Sequence, residues 1–459
     1  MAGAGLALTV SGCAAGQLGK TMTPTKRDSR SARDRLEAVL ARIEDARGEG
    51  ARTYLTVYST TARAAADATD QRARAGAALG PLDGTIVSIK DLFDVAGEHT
   101  RAGSIVLADG SPAIADAPVV HRLRKAGAVI VGKTNMSEFA FSGVGTNPHY
   151  GTPGNPADRL RIPGGSTSGG AVAVVDRMCE ITIGTDTGGS TRIPAALCGL
   201  VGFKPTKYRV PTEGAYPLSP TLDSVGPMAR SVDACAKADA IIAGEAPWIL
   251  EPVPLEGLRF GIPQGLPLRD LDETVAARFE AAIAVLGHAG VKLSKPQFSI
   301  FDDMARINSV APLAVVESYR IHRERLATHA SDYDPFVRFR IEAGAAVSAA
   351  DYAKMLDDRN ELVRAMDSRL SDFDALVLPT TPIVAPTIAE VSTLEGFNAR
   401  NRLLLRNTAI ANFFDLCAIS LPMRRGQGLP AGLMLFGRRG RDRPLFRMAS
   451  AVEQILARA

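Results

Sequence analysis

Cysteine and histidine are scarce in this 459-residue chain, and neither is arranged to hold a metal. The five cysteines stand apart, at 13, 179, 198, 235 and 417, without a CxxC pair. An odd, dispersed set argues against a disulfide framework and reads as buried free thiols. The six histidines, at 99, 121, 149, 288, 322 and 329, form no HxxxH or HExxH pattern, so no metal centre is expected. Charge of one sign is also lacking: 53 Lys and Arg face 49 Asp and Glu, a net +4 without an extended basic block. Nucleic acid is therefore not the implied partner. No apolar run approaches the ~18 residues that a membrane helix requires. What the chain does have is 46% hydrophobic residues, enough for a large core.

The first 30 residues stand apart. Ala2 to Val10 is short and apolar, and Val10-Ser11-Gly12-Cys13 resembles a bacterial lipobox without the basic segment that precedes one. Residues 1–30 are expected to be a disordered tail or a signal-peptide remnant, and 31–459 a single domain. The chain as it stands is expected to be cytoplasmic, with the lipobox-like stretch pointing to an exported lipoprotein origin.

Residues 31–80 read as helix, with Leu36, Val39, Leu40 and Ile43 near helical spacing and a second Ala-rich stretch over 59–79. Gly80-Pro81 ends it. From 82 to 232, short β-rich runs alternate with Gly, Pro and Ser loops. Strands are predicted over 85–89, 128–131 and 180–184, with a helix over 116–126. Residues 245–375 carry Ala/Arg/Glu-rich helical patterns and are expected to form a helical subregion walling a pocket. Strands are predicted again over 375–378, 418–421 and 432–436, with a last helix over 443–457. Strands alternating with helices predict an α/β fold, a sheet covered by helices.

Gly127-Ala128-Val129-Ile130-Val131-Gly132-Lys133-Thr134 matches the phosphate-binding P-loop pattern letter for letter. That loop must expose consecutive N–H groups to phosphate. Ala-Val-Ile-Val between the glycines reads instead as a buried strand, so nucleotide binding is not expected.

Two glycine-flanked serines carry the chemistry. Ser166 lies in Pro163-Gly164-Gly165-Ser166-Thr167-Ser168-Gly169-Gly170, and Ser190 in Gly184-Thr185-Asp186-Thr187-Gly188-Gly189-Ser190-Thr191-Arg192. Neither has the glycine two residues later that marks the G-x-S-x-G elbow. Dense glycine lets backbone N–H groups converge on one point, as an oxyanion hole requires. A serine nucleophile needs a proton acceptor, yet no histidine lies in or beside either segment. A lysine made neutral by burial can serve. Lys90 ends the apolar run Ile86 to Ile89, a position where α/β active sites collect.

Lys90, the Gly-Gly-Ser-Thr-Ser-Gly-Gly run and the Gly-Thr-Asp-Thr-Gly-Gly-Ser-Thr-Arg run together resemble the amidase signature family, as does the 24-residue spacing of the two serines. Segments 132–139, 202–206, 222–227 and 378–382 resemble it in the same order. The likeness is close over about 80–232 and looser over 374–455. It implies a single-domain α/β/α sandwich with a large twisted mixed central sheet. It implies Ser190 as nucleophile, Ser166 on a cis peptide as the bridging serine, and Lys90 as terminal base. It further implies an oxyanion hole from the N–H groups of Thr187, Gly188, Gly189 and Ser190, with Ala140, Phe141, Ser142 and Gly143 at the substrate. Thr167 stands where the family commonly has serine. Arg209 and the 210–220 loop are candidates for substrate contact. Asp186 and Arg192 are expected to pair near the nucleophile, Lys133 and Lys204 to be structural, and Cys198 to be packed. The implied activity is hydrolysis of small-molecule amides, aryl amides or carbamates through an acyl-enzyme, without cofactor or metal, by a monomer or homodimer. The alternative is the glutaminase subunit of a tRNA-dependent amidotransferase.

Overall fold

Short, near-continuous apolar runs buried on both faces build the centre of the molecule, an 11-stranded sheet. In this computed structural model, Met1, 30–423 and 428–458 are described. The lipobox-like Val10–Cys13 lies outside the described residues.

The strands are β1 (Tyr54–Val57), β2 (Ile86–Lys90), β3 (Val129–Thr134), β4 (Ile181–Thr185), β5 (Val201–Lys204), β6 (Val225–Ala229), β7 (Arg259–Gly261), β8 (Lys292–Ser294), β9 (Ala375–Pro379), β10 (Cys417–Pro422) and β11 (Gly432–Gly437). Their order is β1-β3-β2-β4-β6-β5-β10-β11-β9-β7-β8. β2 runs parallel to β3 and β4, and β7 parallel to β8 and β9, while β4–β6, β5–β6, β5–β10 and β10–β11 are antiparallel. The sheet is therefore mixed.

Successive side chains enter opposite layers. Val87, Ile89 and Ile130 join one core cluster, while Ile86, Val129 and Val131 join another with helices Ala32–Glu44, Ser59–Arg74 and Ser168–Val175. Farther along, Leu433 and Leu435 face the first cluster, and Met434 and Phe436 a third. Both faces are covered, giving the expected three-layer α/β/α arrangement.

The P-loop look-alike is the buried strand β3, with Lys133 only 1% exposed. Three expectations need correction. Residues 31–80 are not all helix, because Tyr54–Val57 adds an edge strand that pairs with β3. Residues 245–375 are not wholly helical, since β7 and β8 extend the far edge of the sheet there. A 20-residue helix, Leu394–Phe413, lies between the predicted strands 375–378 and 418–421, where no helix is predicted.

Candidate active site

Strand alternation places Lys90 on the same face as Ile86 and Ser88, the face packed by helix Ser168–Val175. Lys90 is fully buried. Its Nζ donates to Ser166 Oγ at 2.7 Å and to Thr185 Oγ1 at 2.9 Å. Burial lowers its pKa to about 7, although the charges of Asp186 and Asp223 pull the other way. A large fraction of this lysine is thus neutral near pH 7, as a base must be.

Ser166 sits just ahead of helix Ser168–Val175, and the Gly165–Ser166 peptide is cis. Its surroundings are stitched by backbone bonds. Gly165 N donates to Gly143 O at 2.9 Å, Ser137 N to Ser166 O at 3.1 Å, and Thr167 N to Ser190 O at 3.3 Å. The last of these ties the two serine segments to one another.

Ser190 lies between β4 and helix Arg192–Cys198, on the wall of a large, mainly apolar cavity. Among the described residues, the N–H groups of Thr187, Gly188, Gly189 and Ser190 have no protein acceptor. Backbone donors without a protein partner are uncommon, and here four are consecutive in a segment that borders the cavity. Gly189 is required by shape: its φ is +137°, and a Cβ there would stand 2.2 Å from Thr408 Oγ1. The same hydroxyl donates to Gly188 O at 2.6 Å, so helix Leu394–Phe413 pins this loop.

Behind the loop, Asp186 and Arg192 form a fully buried ion pair at 2.8 Å. Asp186 also accepts from Thr191 Oγ1 at 2.9 Å and Asn412 Nδ2 at 2.9 Å, and Arg192 donates to Asn412 Oδ1 at 2.7 Å. Although burial alone would raise the Asp186 pKa, the Arg192 guanidinium holds it well below the usual carboxylate range. Lys204 is tied to the carbonyls of Pro205 and Leu416 at 2.6 and 2.8 Å, which is a structural role. Cys179, Cys198, Cys235 and Cys417 are buried free thiols.

The cavity beside Ser190 measures about 790 Å³. Ala140, Phe141, Ser142 and Gly143 line it together with Thr187 and Gly188, so the structure brings these candidates to one place. Phe139 and Ala140 both adopt positive φ, 50° and 60°, a conformation held by the surrounding hydrogen bonds. Gly143 N donates to Asn401 Oδ1 at 2.8 Å. The 245–375 subregion contributes Leu266, Met304, Val310, Leu313, Phe339 and Arg340.

Arg209 is corrected. It does not line the cavity but is bound by Asp239 and Glu245, with only 13% of its side chain exposed. Two nearby carboxylates give it a structural pairing that no loop pattern reveals.

Arg340, which sequence reasoning missed, does line the cavity. Its guanidinium lies 4.5 Å from the centroid of the Phe141 ring, and its shielded Nε has no hydrogen-bond partner. Burial lowers its pKa to about 10, so it is a cation at neutral pH. Arg402 and Arg406 line the same cavity, while no Asp or Glu does among the described residues. No cluster of metal-ligating residues occurs among the described residues, and no described helix is long and apolar enough to cross a membrane.

The pattern of the family described as Amidase matches residues 34–446. The 2-amino-5-chloromuconic acid deaminase of Comamonas testosteroni is 35% identical, over 88% of this chain and 88% of its own. A glutamyl-tRNA(Gln) amidotransferase component from Chloroflexus aggregans is 34% identical, over 91% of this chain and 92% of its own. A crystal structure described only as an amidase superposes with a TM-score of 0.83 at 32% identity, covering 93% of this chain and 96% of the other.

Proposed function

The chain belongs to the amidase signature family and is a hydrolase of carbon–nitrogen bonds, and from that premise we propose that it cleaves amide-like bonds in substrates that carry a carboxylate. The observation that carries the reaction is the buried hydrogen bond from Lys90, its pKa brought down to about 7, to Ser166, beside a cavity bearing Ser190 and four N–H groups without a protein acceptor.

In this reading Ser190 Oγ attacks the carbonyl carbon. Its proton passes to Ser166 Oγ as the Ser166 proton passes to Lys90 Nζ. The oxyanion gathers on the N–H groups of residues 187 to 190, each such donor being worth roughly 3–4 kcal/mol at the transition state. Collapse of the intermediate breaks the C–N bond, and the relay run backwards protonates the leaving nitrogen. Water then enters by the same relay and hydrolyses the acyl-enzyme. A carbamate offers the same carbonyl and leaving nitrogen, so the same groups serve it.

Arg340 supports the substrate class. A cation lacking an anionic partner beside an apolar cavity suits a substrate carboxylate, which would accept a charge-assisted hydrogen bond. The Comamonas relative is likewise named for an acid. A glutaminase reading shares this feature, since glutamine also carries a carboxylate. It fits less well, because a free ammonium group would find no Asp or Glu among the described lining residues.

The test is a matched panel: an anilide ending in a free carboxylate, its methyl ester, an aryl carbamate, and glutamine. The carboxylate anilide is expected to have the highest kcat/KM, and Ser190→Ala to abolish all turnover. Hydrolysis of glutamine alone, or full activity in Ser190→Ala, would overturn the reading.

A further inference from the structure

The segment Leu222-Asp223-Ser224-Val225-Gly226-Pro227 plays no part in the relay above, yet its aspartate sits at a junction. Asp223 is 8% exposed. One of its carboxylate oxygens, Oδ1, accepts from Thr187 Oγ1 at 2.5 Å. The other, Oδ2, accepts from Leu218 N and Ser219 N, both at 3.0 Å. Both oxygens are thus committed, one to the first residue of the orphaned N–H series and one to a loop whose Leu218 and Leu222 line the substrate cavity.

That loop is itself fastened. Lys207 Nζ donates to the carbonyls of Pro220 and Asp223, each at 2.7 Å. Buried Glu317 accepts from Ser219 Oγ at 2.6 Å, from Thr221 N at 3.1 Å and from Tyr352 Oη at 2.6 Å. Glu317 belongs to helix Leu313–His329, which supplies Leu313, Ala314 and Val315 to the cavity wall. Next door, Asp186 N donates to Ser224 O at 2.8 Å and Ser224 Oγ to Asp186 O at 2.8 Å, so residue 187 is held from both sides.

We infer that Asp223 is a positioning residue for the reaction: through Thr187 it sets the aim of the oxyanion N–H groups, and through the 218–222 loop it ties that aim to the cavity wall. A carboxylate suits this post because it accepts on both oxygens. An amide would turn N–H groups towards either Thr187 or the Leu218 and Ser219 donors. The inference rests on the proposed roles of Ser190 and Lys90. The charges bearing on Lys90 are Asp186 and Asp223. Those bearing on Asp223 include Lys207, with Glu317 one hydroxyl away through Ser219. Removing the negative charge of Asp223 therefore makes Lys90 easier to deprotonate.

Thr187→Val, Thr187→Ser and Asp223→Asn are to be assayed as purified full chains with Ser190→Ala as control, and folding checked by thermal melting. Thr187→Val is expected to lower kcat about tenfold or more with little change in KM, as for loss of an orienting partner, and Thr187→Ser to restore it. Asp223→Asn is expected to lower kcat similarly and to move the acid limb of the kcat/KM profile to lower pH, while Thr187→Val leaves that limb in place. If Ser190→Ala is inactive but Thr187→Val turns over as the parent does, this inference fails alone. An active Ser190→Ala would instead overturn the proposed reaction beneath it. If Asp223→Asn does not fold, the Thr187 pair still decides the matter.

Discussion

Replacing Lys90 with methionine is expected to abolish turnover and at the same time to stabilise the fold. In the unfolded chain a lysine keeps its proton up to about pH 10.4. In the fold, Lys90 surrenders it at about 7 because it is wholly buried. At about 1.36 kcal/mol per pH unit, an ammonium held in this place at pH 7 or below costs the fold roughly 4–5 kcal/mol. Methionine removes that cost and fills a similar volume. It also strips Ser166 Oγ and Thr185 Oγ1 of their donor, a loss of about 1 kcal/mol each. The variant should therefore be about 2–3 kcal/mol more stable at pH 7.

The advantage should shrink as pH rises. Between pH 7 and 9 the unfolded parent still binds the lysine proton while the folded parent releases it. Parent stability thus climbs by about 2 kcal/mol over that range, and the methionine variant lacks this term. Urea denaturation of both proteins at pH 7, 8 and 9 measures the difference directly. A difference that stays constant across the three would show that Lys90 ionises like any exposed lysine, and the base assignment would fall with it.

Arg340→Met should raise KM for carboxylate substrates by roughly 10- to 100-fold, the loss of one or two charge-assisted hydrogen bonds, and leave the matched methyl ester nearly unaffected; steady-state kinetics on the pair decides it. Gly189→Ala should cost nearly all activity, because its Cβ would meet Thr408 Oγ1 at 2.2 Å on a backbone that disfavours side chains; a folded, fully active variant would contradict this. Arg192→Met leaves Asp186 buried and uncompensated and should destabilise the fold by about 3–5 kcal/mol, read as a lowered denaturation midpoint.

Sequence legibility followed local pattern. Strands β2, β3 and β4 were readable because each is a short apolar run that ends sharply at polar residues, Lys90-Asp91 after β2, Lys133-Thr134-Asn135 at the end of β3 and the glycine-rich turn after β4. Helix Leu394–Phe413 was not, because Asn401, Asn407 and Asn412 lie on its buried side and blunt the apolar periodicity. Those asparagines are buried to clamp backbone: Asn401 holds Gly143, Asn407 the carbonyls of Pro267 and Pro379, and Asn412 that of Asp186. Strands β7 and β8 have three residues each, too few to show a period. The ordered motifs brought the candidates around Ser190 into one place, but they could not separate Arg209 from Arg340. Composition treats both as surface arginines. Which one has a carboxylate beside it is settled by segments 30 and 36 residues away in the chain.

Helix Leu394–Phe413 works in two directions at once. Along one side, Asn398, Asn401, Arg402, Leu405, Arg406 and Ala409 line the cavity. Interleaved with them, Asn401, Thr408 and Asn412 grip the loops that carry Gly143, Gly188 and Asp186. Cavity wall and loop anchoring thus share one helix and meet at Asn401, which lines the cavity and also holds Gly143 N. A library confined to 398, 402, 405 and 409 can reshape what the cavity admits while the reacting atoms stay in register. A single change at 408 or 412, which do not line the cavity, would blur the reaction for every substrate alike, whereas one at 401 would alter both.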